Sequence, residues 1–198
     1  SLEEAAKQFD LPYKRIEGEA AFYGPKLDFM FKDAIGRQWQ LATIQLDFNL
    51  PERFELDYIT EANEKERPVV IHRAVLGSTE RFMGVMIEHF AGSFPVWLSP
   101  VQVKVLPISE KYAEYAQTVV DALEKYNISV ELDCTSESLG KRIRIAKTEK
   151  VPYILVLGEK EVDASTVTVE RRDGKQATES ILDFVNTVKG EIEAKEIW

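Results

Sequence analysis

The chain has 198 residues, a formal net charge of −9 and 44% apolar residues, which is enough for one large domain or two modest ones and excludes a disordered chain. The negative charge excludes a general nucleic-acid coat, although a local basic patch still suits RNA, and no apolar run approaches the roughly 20 residues of a membrane span. A single cysteine, Cys134, excludes an internal disulfide and fits a reducing compartment.

Residues 1–9 read as a helix that stops near Asp10-Leu11-Pro12. The acidic start has no signal-peptide apolar region and looks like the middle of a helix, as if cut from a longer chain. Strands follow. Leu27–Phe31 and Gln38–Leu46 are joined by a hairpin over Lys32–Gly36. Strict alternation puts Gln38, Gln40, Ala42 and Ile44 on one face of the second strand, and Trp39, Leu41, Thr43 and Gln45 on the other. Residues 51–67 read as a polar loop with a short strand, and Val69–Ile71 as a β-branched strand. Strands in succession without helices between them predict a largely antiparallel sheet. Gly77-Ser78-Thr79 opens a helix capped by Ser78 or Thr79. Phe82, Val85, Met86, His89 and Phe90 follow at helical spacing, and Gly92 and Pro95 end it.

After Trp97–Pro100 strands and helices alternate. Strands are expected over 101–106, 128–132, 152–157 and 166–169, with helices over 111–126, 139–150 and 179–194. The stripe Tyr112, Tyr115, Ala116, Val119, Val120 and Leu123 marks the first of these helices as amphipathic. The order βαβαββα predicts a mixed sheet covered by helices, separate from the first half. The boundary is placed near Ser99, giving domains 1–99 and 100–198.

Two readings stand for each residue that carries chemistry. His72 ends a strand. A strand-end histidine is more often a hydrogen-bonded structural residue than a metal ligand, and His89 and Cys134 do not complete a zinc set. Arg81, in the first turn of a helix, is either a solvated ion pair, for example with Glu80, or a planar fork for phosphate where a helix N-terminus favours anions. Tyr23-Gly24-Pro25-Lys26 is a turn by composition. Gln40, Thr43 and Gln45 are polar residues in a strand centre that must pair with one another or with a ligand. Lys141, Arg142, Arg144, Lys147 and Lys150 stand against one acid, Glu149. The half that contains them has 14 basic and 18 acidic residues. Such a helix suits polyanion contact, and a solvated face is the commoner explanation. Arg171 and Arg172 beside Asp173-Gly174 read as a hairpin tip.

Three segments together resemble the threonyl-tRNA synthetases, members of the class II aminoacyl-tRNA synthetases. They are Tyr23-Gly24-Pro25-Lys26, Thr43-Ile44-Gln45-Leu46-Asp47-Phe48, and Ile71-His72-Arg73-Ala74 followed by Leu76-Gly77-Ser78-Thr79-Glu80-Arg81. Gly-x-x-Glu-Arg is also the third class II signature. The resemblance runs over nearly the whole chain and implies the end of a class II catalytic domain, with an antiparallel sheet and helices, followed by an α/β mixed-sheet anticodon-binding domain. It implies that Arg81 contacts ATP, which enters with Mg²⁺ as substrate, and that Gln40 and Thr43 line the ATP region. Tyr23, Gln45 and Ser78 would stand against threonine or the terminal adenosine. His72 would be one of three ligands to a zinc ion that holds the amino and hydroxyl groups of threonine and so rejects valine. In the second domain Ser136, Arg144, Lys150 and Glu161 fall where the family touches the anticodon.

The departures are specific. The family's other two zinc ligands and the first two class II signatures lie before the segment that matches Ser1. Gln-Cys-Gly-Thr is usual where Gln40-Leu41-Ala42-Thr43 stands, and an expected Arg aligns with Glu170, beside Arg171. The implied function is threonine–tRNA ligase: activation of threonine by ATP, then transfer to threonine tRNA. The intact enzyme would be a homodimer, and this chain alone would be inactive. The alternative is a non-catalytic synthetase-like module that binds tRNA. A prolyl synthetase would match mainly at Arg81 and in the second domain, so Tyr23-Gly24-Pro25-Lys26 and Ile71-His72-Arg73-Ala74 speak against it.

Overall fold

A computed structural model describes residues 2–198; the part of the expected first helix that falls on Ser1 lies outside the described residues. The backbone contacts divide the chain into two units, one running to His89 and the other from Phe90 to Trp198. The division falls earlier than Ser99 because Val96, in a 3₁₀ turn over Val96–Leu98, is 1% exposed in the core of the second unit, where its carbonyl accepts from Gln102 Nε2.

The first unit holds α1 (Leu2–Gln8), β1 (Lys26–Lys32), β2 (Gln38–Asp47), α2 (Asn49–Arg53), β3 (Tyr58–Ile59), β4 (Lys65–Glu66), β5 (Val70–Ala74) and α3 (Thr79–Phe90). Strands β1, β2 and β5 form an antiparallel sheet with β2 in the centre, as the run of strands predicts. The expected hairpin connection is built around Asp33. Its carboxylate accepts from the backbone N–H groups of Ile35 and Arg37, the Arg37 side chain and the Trp39 indole. The polar stretch 51–67, expected as a loop with a short strand, holds two short strands and most of an unexpected short helix. Asp47 Oδ1 accepts from the N–H groups of Asn49 and Leu50 and starts α2, and β3 and β4 pair with each other. A helix of five residues is too short to show a period. Ser78 caps α3, its Oγ accepting from the Arg81 N–H at 3.1 Å. Few side chains of this unit are buried, Ala6, Leu41, Asp47 and Pro51 among them, while Phe9, Phe22, Phe54 and Ile71 lie open.

The second unit holds β6 (Val103–Pro107), α4 (Ala113–Glu124), β7 (Val130–Leu132), α5 (Leu139–Thr148), β8 (Tyr153–Leu157), α6 (Glu159–Ala164), β9 (Thr166–Arg171), β10 (Gln176–Ser180) and α7 (Ile181–Ala194). Its five-stranded sheet has the order β10-β9-β8-β6-β7. Strands β7, β6 and β8 are parallel, and β9 and β10 are antiparallel. The mixed sheet was expected; α6 and β10 were not. The first is short and polar. The second has no apolar alternation and is held by its ladder to β9. Glu179 therefore lies in a strand rather than in the last helix, which begins after Ser180, whose Oγ accepts from the Asp183 N–H.

The core fills the space between the sheet and α4 with α7. Val103, Val105, Leu123, Leu155, Leu157, Phe184 and Val188 are at most 1% exposed. Removing the Phe184 ring leaves a cavity the neighbours cannot close. Phe184→Ala is expected to lower the stability of the second unit by about 3–5 kcal/mol in urea unfolding, whereas Phe22→Ala, at an open position, should stay within about 0.5 kcal/mol.

Candidate functional site

One irregularity in β2 organises the polar face of the first sheet. The β1–β2 register shifts between Phe29 and Met30. Phe29 pairs with Ala42 and Met30 with Gln40, so Leu41 is an extra residue on β2. A bulge of this kind reverses the alternation beyond it. Gln40 therefore shares a face with Thr43 and Gln45, which corrects the strict alternation expected from the sequence. Both Gln40 Nε2 (2.7 Å) and Thr43 Oγ1 (2.8 Å) donate to Asp28 Oδ1, and Lys26 Nζ lies 2.6 Å from Asp28 Oδ2. Asp28 is the residue that sequence reasoning missed; its signal was a lone acid in an otherwise apolar strand.

Further along the same face Gln45 pairs across to His72. The Tyr23 hydroxyl donates to Gln45 Oε1 at 2.6 Å, and the Tyr23 and His72 rings meet edge-on with centroids 5.8 Å apart. His72 Nε2 lies 2.8 Å from Asp47 Oδ2, and the Asp47 side chain is 1% exposed. Tyr23, Gln45, His72 and Asp47 line a cavity of about 340 Å³ with Phe22 and Arg53. Sequence reasoning quoted Asp47 within a motif without giving it a role, because a strand-end acid gives no hint of the histidine it will meet.

The two glycines of the motifs answer to close approach. The segment 23–25 lies along the end of β2, where Leu46 N–H donates to Pro25 O and Phe48 N–H to Tyr23 O. Gly24 has φ 155°, and a Cβ there would fall 2.1 Å from the Leu46 carbonyl oxygen. Gly77, at φ 66°, would place a Cβ 2.6 Å from the Leu41 carbonyl oxygen at the bulge. These positions seat Tyr23 beside Gln45 and the start of α3 beside Leu41.

Arg81 is exposed. Its Nη1 donates to the Gln40 carbonyl at 3.2 Å, and among the described residues no carboxylate pairs with it, so the expected ion pair with Glu80 does not form. The rest of the guanidinium stays open to an anion. Ser78 is occupied with capping α3 and does not line the cavity.

Burial pushes the Asp47 carboxyl up, but the His72 ring and the N–H groups of Leu50 and Asn49 outweigh it and hold the carboxyl below its ordinary value. The stabilisation from the ionised carboxylate is therefore complete above its unfolded value of 3.8 and lost as pH falls through the lower folded value.

Zinc takes three protein ligands when one position is left to substrate. His72 and Asp47 provide two donors. Among the described residues no group of three His, Cys, Asp or Glu side chains could hold a metal ion. These residues alone therefore do not fit a zinc centre.

In the second unit the four expected anticodon residues do not gather at one point. Ser136 is exposed in the loop after β7, and Lys150 follows the far end of α5, a helix about 15 Å long. The Lys150 ammonium donates to the Ala91 carbonyl. Glu161 is turned to structure, with Oε2 accepting from the Gly158 N–H and Oε1 from the Thr168 hydroxyl, both within 2.8 Å. The basic helix is also largely spent. Arg142 is buried, Lys141 pairs with Glu137, and Lys147 pairs with Glu170 at 2.5 Å. Arg144 alone of the five is exposed with no partner among the described residues. Glu170 thus sits where an arginine was expected, and Arg171 stacks on the Trp198 ring at 3.7 Å.

Comparison with known proteins matches residues 4–90 to the tRNA synthetase class II core domain (G, H, P, S and T) and residues 102–191 to the anticodon binding domain. A threonine–tRNA ligase of Caldanaerobacter subterraneus is 52% identical over 98% of this chain and 30% of that protein. One from a Sulfurihydrogenibium species is 53% identical over 100% of this chain and 31% of that protein. The chain thus spans about a third of the length of the curated relatives it matches. Among solved structures, the RNA binding domain of threonyl-tRNA synthetase from Cryptosporidium parvum superposes with a TM-score of 0.87. It is 41% identical, over 96% of this chain and 48% of that one.

Ionisation of Asp47 can be followed through the amide resonances of Asn49 and Leu50. Their pH midpoint is expected below 3.8, and a midpoint at or above it would show that burial dominates over the hydrogen bonds.

Proposed function

Because the chain belongs to the threonyl-tRNA synthetase family, we propose that its first unit supplies one wall of a site that activates threonine with ATP, and that its second unit holds threonine tRNA by the anticodon. The observation that carries the first part is the convergence of Tyr23, Gln45 and His72 on one cavity at the end of a polar sheet face. A small polar substrate with an amino and a hydroxyl group suits such walls, because their half-buried hydroxyl, amide and imidazole groups can both donate and accept hydrogen bonds. Gln40 and Thr43, fixed on Asp28, form the neighbouring stretch of the face, which we assign to ATP and the terminal adenosine. Arg81, steadied by the Gln40 carbonyl, offers its open N–H groups to a phosphate.

In the intact enzyme the threonine carboxylate displaces pyrophosphate from ATP, and the acyl group then passes to the terminal ribose of the tRNA. The walls described here bind and orient for those steps, and positioning is a large part of such catalysis. We extend the family's homodimeric state, Mg²⁺ with ATP and a cytoplasmic setting to the intact protein. Zinc enters no step assigned to these residues.

The second part rests on the match of residues 102–191 and on Arg144 as the open cation of α5. Threonine tRNA is expected to bind the chain more tightly than the same tRNA with its anticodon replaced, across a salt series. Arg144→Gln should weaken binding roughly five- to tenfold and reduce the salt slope by about one. Equal binding of both tRNAs would overturn the anticodon assignment. The 198-residue chain by itself is expected to give no threonine-dependent exchange of pyrophosphate into ATP, since its first unit supplies only one wall of the proposed site. Measurable exchange would refute this.

A further inference from the structure

Helix α5 is docked on its sheet by a small apolar cluster, in which Leu139, Ile143 and Ala146 meet Leu106, Ile154 and Val156, and by two buried cations beside it. The residues it buries are Arg142 and Ala146, and beneath it Lys104, 3% exposed in the middle of β6, meets Glu149 at 2.7 Å and Glu131 at 3.1 Å. Lys104 has two carboxylates, but Arg142 has none. Its Nη1 donates to the Asp133 carbonyl at 2.8 Å and its Nη2 to the Pro107 carbonyl at 2.7 Å, while Nε is buried with no acceptor among the described residues. A buried guanidinium met only by two carbonyls, with one N–H unsatisfied, gives a modest net stabilisation; an apolar residue of similar size relieves the unsatisfied N–H but leaves the two carbonyls without that donor.

What Arg142 supplies is geometry. Pro107 is the last residue of β6, and Asp133 is the first after β7, so the guanidinium ties together the ends of two neighbouring parallel strands. From Asp133 the chain enters the loop that carries Ser136. There Asp133 Oδ1 accepts from the N–H (3.0 Å) and the hydroxyl (2.7 Å) of Thr135. Arg142 itself sits in the first turns of α5. Two residues on, about 200° around the helix, Arg144 points to the opposite side and is exposed.

We propose that Arg142 is a positioning residue for RNA recognition: by clamping the ends of β6 and β7 from inside α5, it sets the path of the 133–138 loop and the outward aim of Arg144. This deepens the reading of the second unit as a tRNA-holding domain and rests on it. The role predicts a separation that a merely structural residue does not show, namely a loss of discrimination out of proportion to the modest loss of stability.

The test is Arg142→Met in the full chain. It measures thermal unfolding together with affinity for threonine tRNA and for the same tRNA with a replaced anticodon. The expected result is a chain that still unfolds cooperatively, with an unfolding temperature lowered by only a few degrees, and a roughly tenfold fall in the ratio of the two affinities. A folded Arg142→Met chain that discriminates like the parent overturns the proposal. So does one that loses stability and weakens equally for both tRNAs. Should Arg142→Met fail to fold, Thr135→Val opens the same loop from its exposed side and decides the matter. Reduced discrimination supports the proposal, and parent-like discrimination overturns it. A parent chain that does not discriminate sinks the RNA reading itself and this role with it. A parent that discriminates beside a variant that does so equally removes the positioning role alone.

Discussion

The extra residue at Leu41 is the constraint on which the first unit's polar face depends. In an unbroken β2, Gln40 and Thr43 would point to opposite sides of the sheet, and Asp28 could hold only one of them. With the bulge both reach the same carboxylate oxygen. The bulge also turns two backbone carbonyls to use. The Gln40 carbonyl receives Arg81, and the Leu41 carbonyl is where Gly77 lies so close that a side chain would collide. One local insertion thus connects a strand centre with the start of α3. Bulges are common beside functional sites because they re-aim side chains without altering the rest of the ladder.

A second, independent set of contacts governs the cavity end of that face. Asp47 is almost fully covered, yet it is ionised through contacts from two directions: the His72 ring on one oxygen and the first N–H groups of α2 on the other. The acid that orients the histidine is therefore also the acid that starts the short helix lining the cavity. Tyr23 closes the arrangement, bonded to Gln45 and edge-on to His72, and it reaches that position only because Gly24 admits the Leu46 carbonyl.

The second unit divides its sheet into a dry side and a charged side. Packing against α4 and α7 is apolar and holds the larger core, whereas under α5 a small cluster of Leu106, Ala146 and Ile154 is joined by buried Arg142 and Lys104. The basic run of α5, read as a patch for RNA, is mostly turned to internal use, and Arg144 alone remains open. A count of cations overstates the positive surface when several of them are committed to carbonyls and carboxylates of the same domain.

Sequence alone determined the succession of antiparallel and alternating halves, the amphipathic stripe of α4 and the cap at Ser78. Each depends on local spacing, which propensity and periodicity can read, whereas the motifs around Tyr23, Gln45, His72 and Arg81 stood out only through their resemblance to a family. It did not reveal α2, α6 or β10, which are too short or too polar to carry a period and exist because Asp47, Glu161 and the β9 ladder hold them. It also missed the bulge, since one extra residue in a ladder is visible only when both strands are paired. Which cation stays open, which acid meets His72 and which carbonyls Arg142 clamps were decided by tertiary structure. The partners of His72 and Arg142 lie between 9 and 35 residues away, so no local spacing encodes them, and of the pairs that occupy the α5 cations only Lys141 with Glu137 is local.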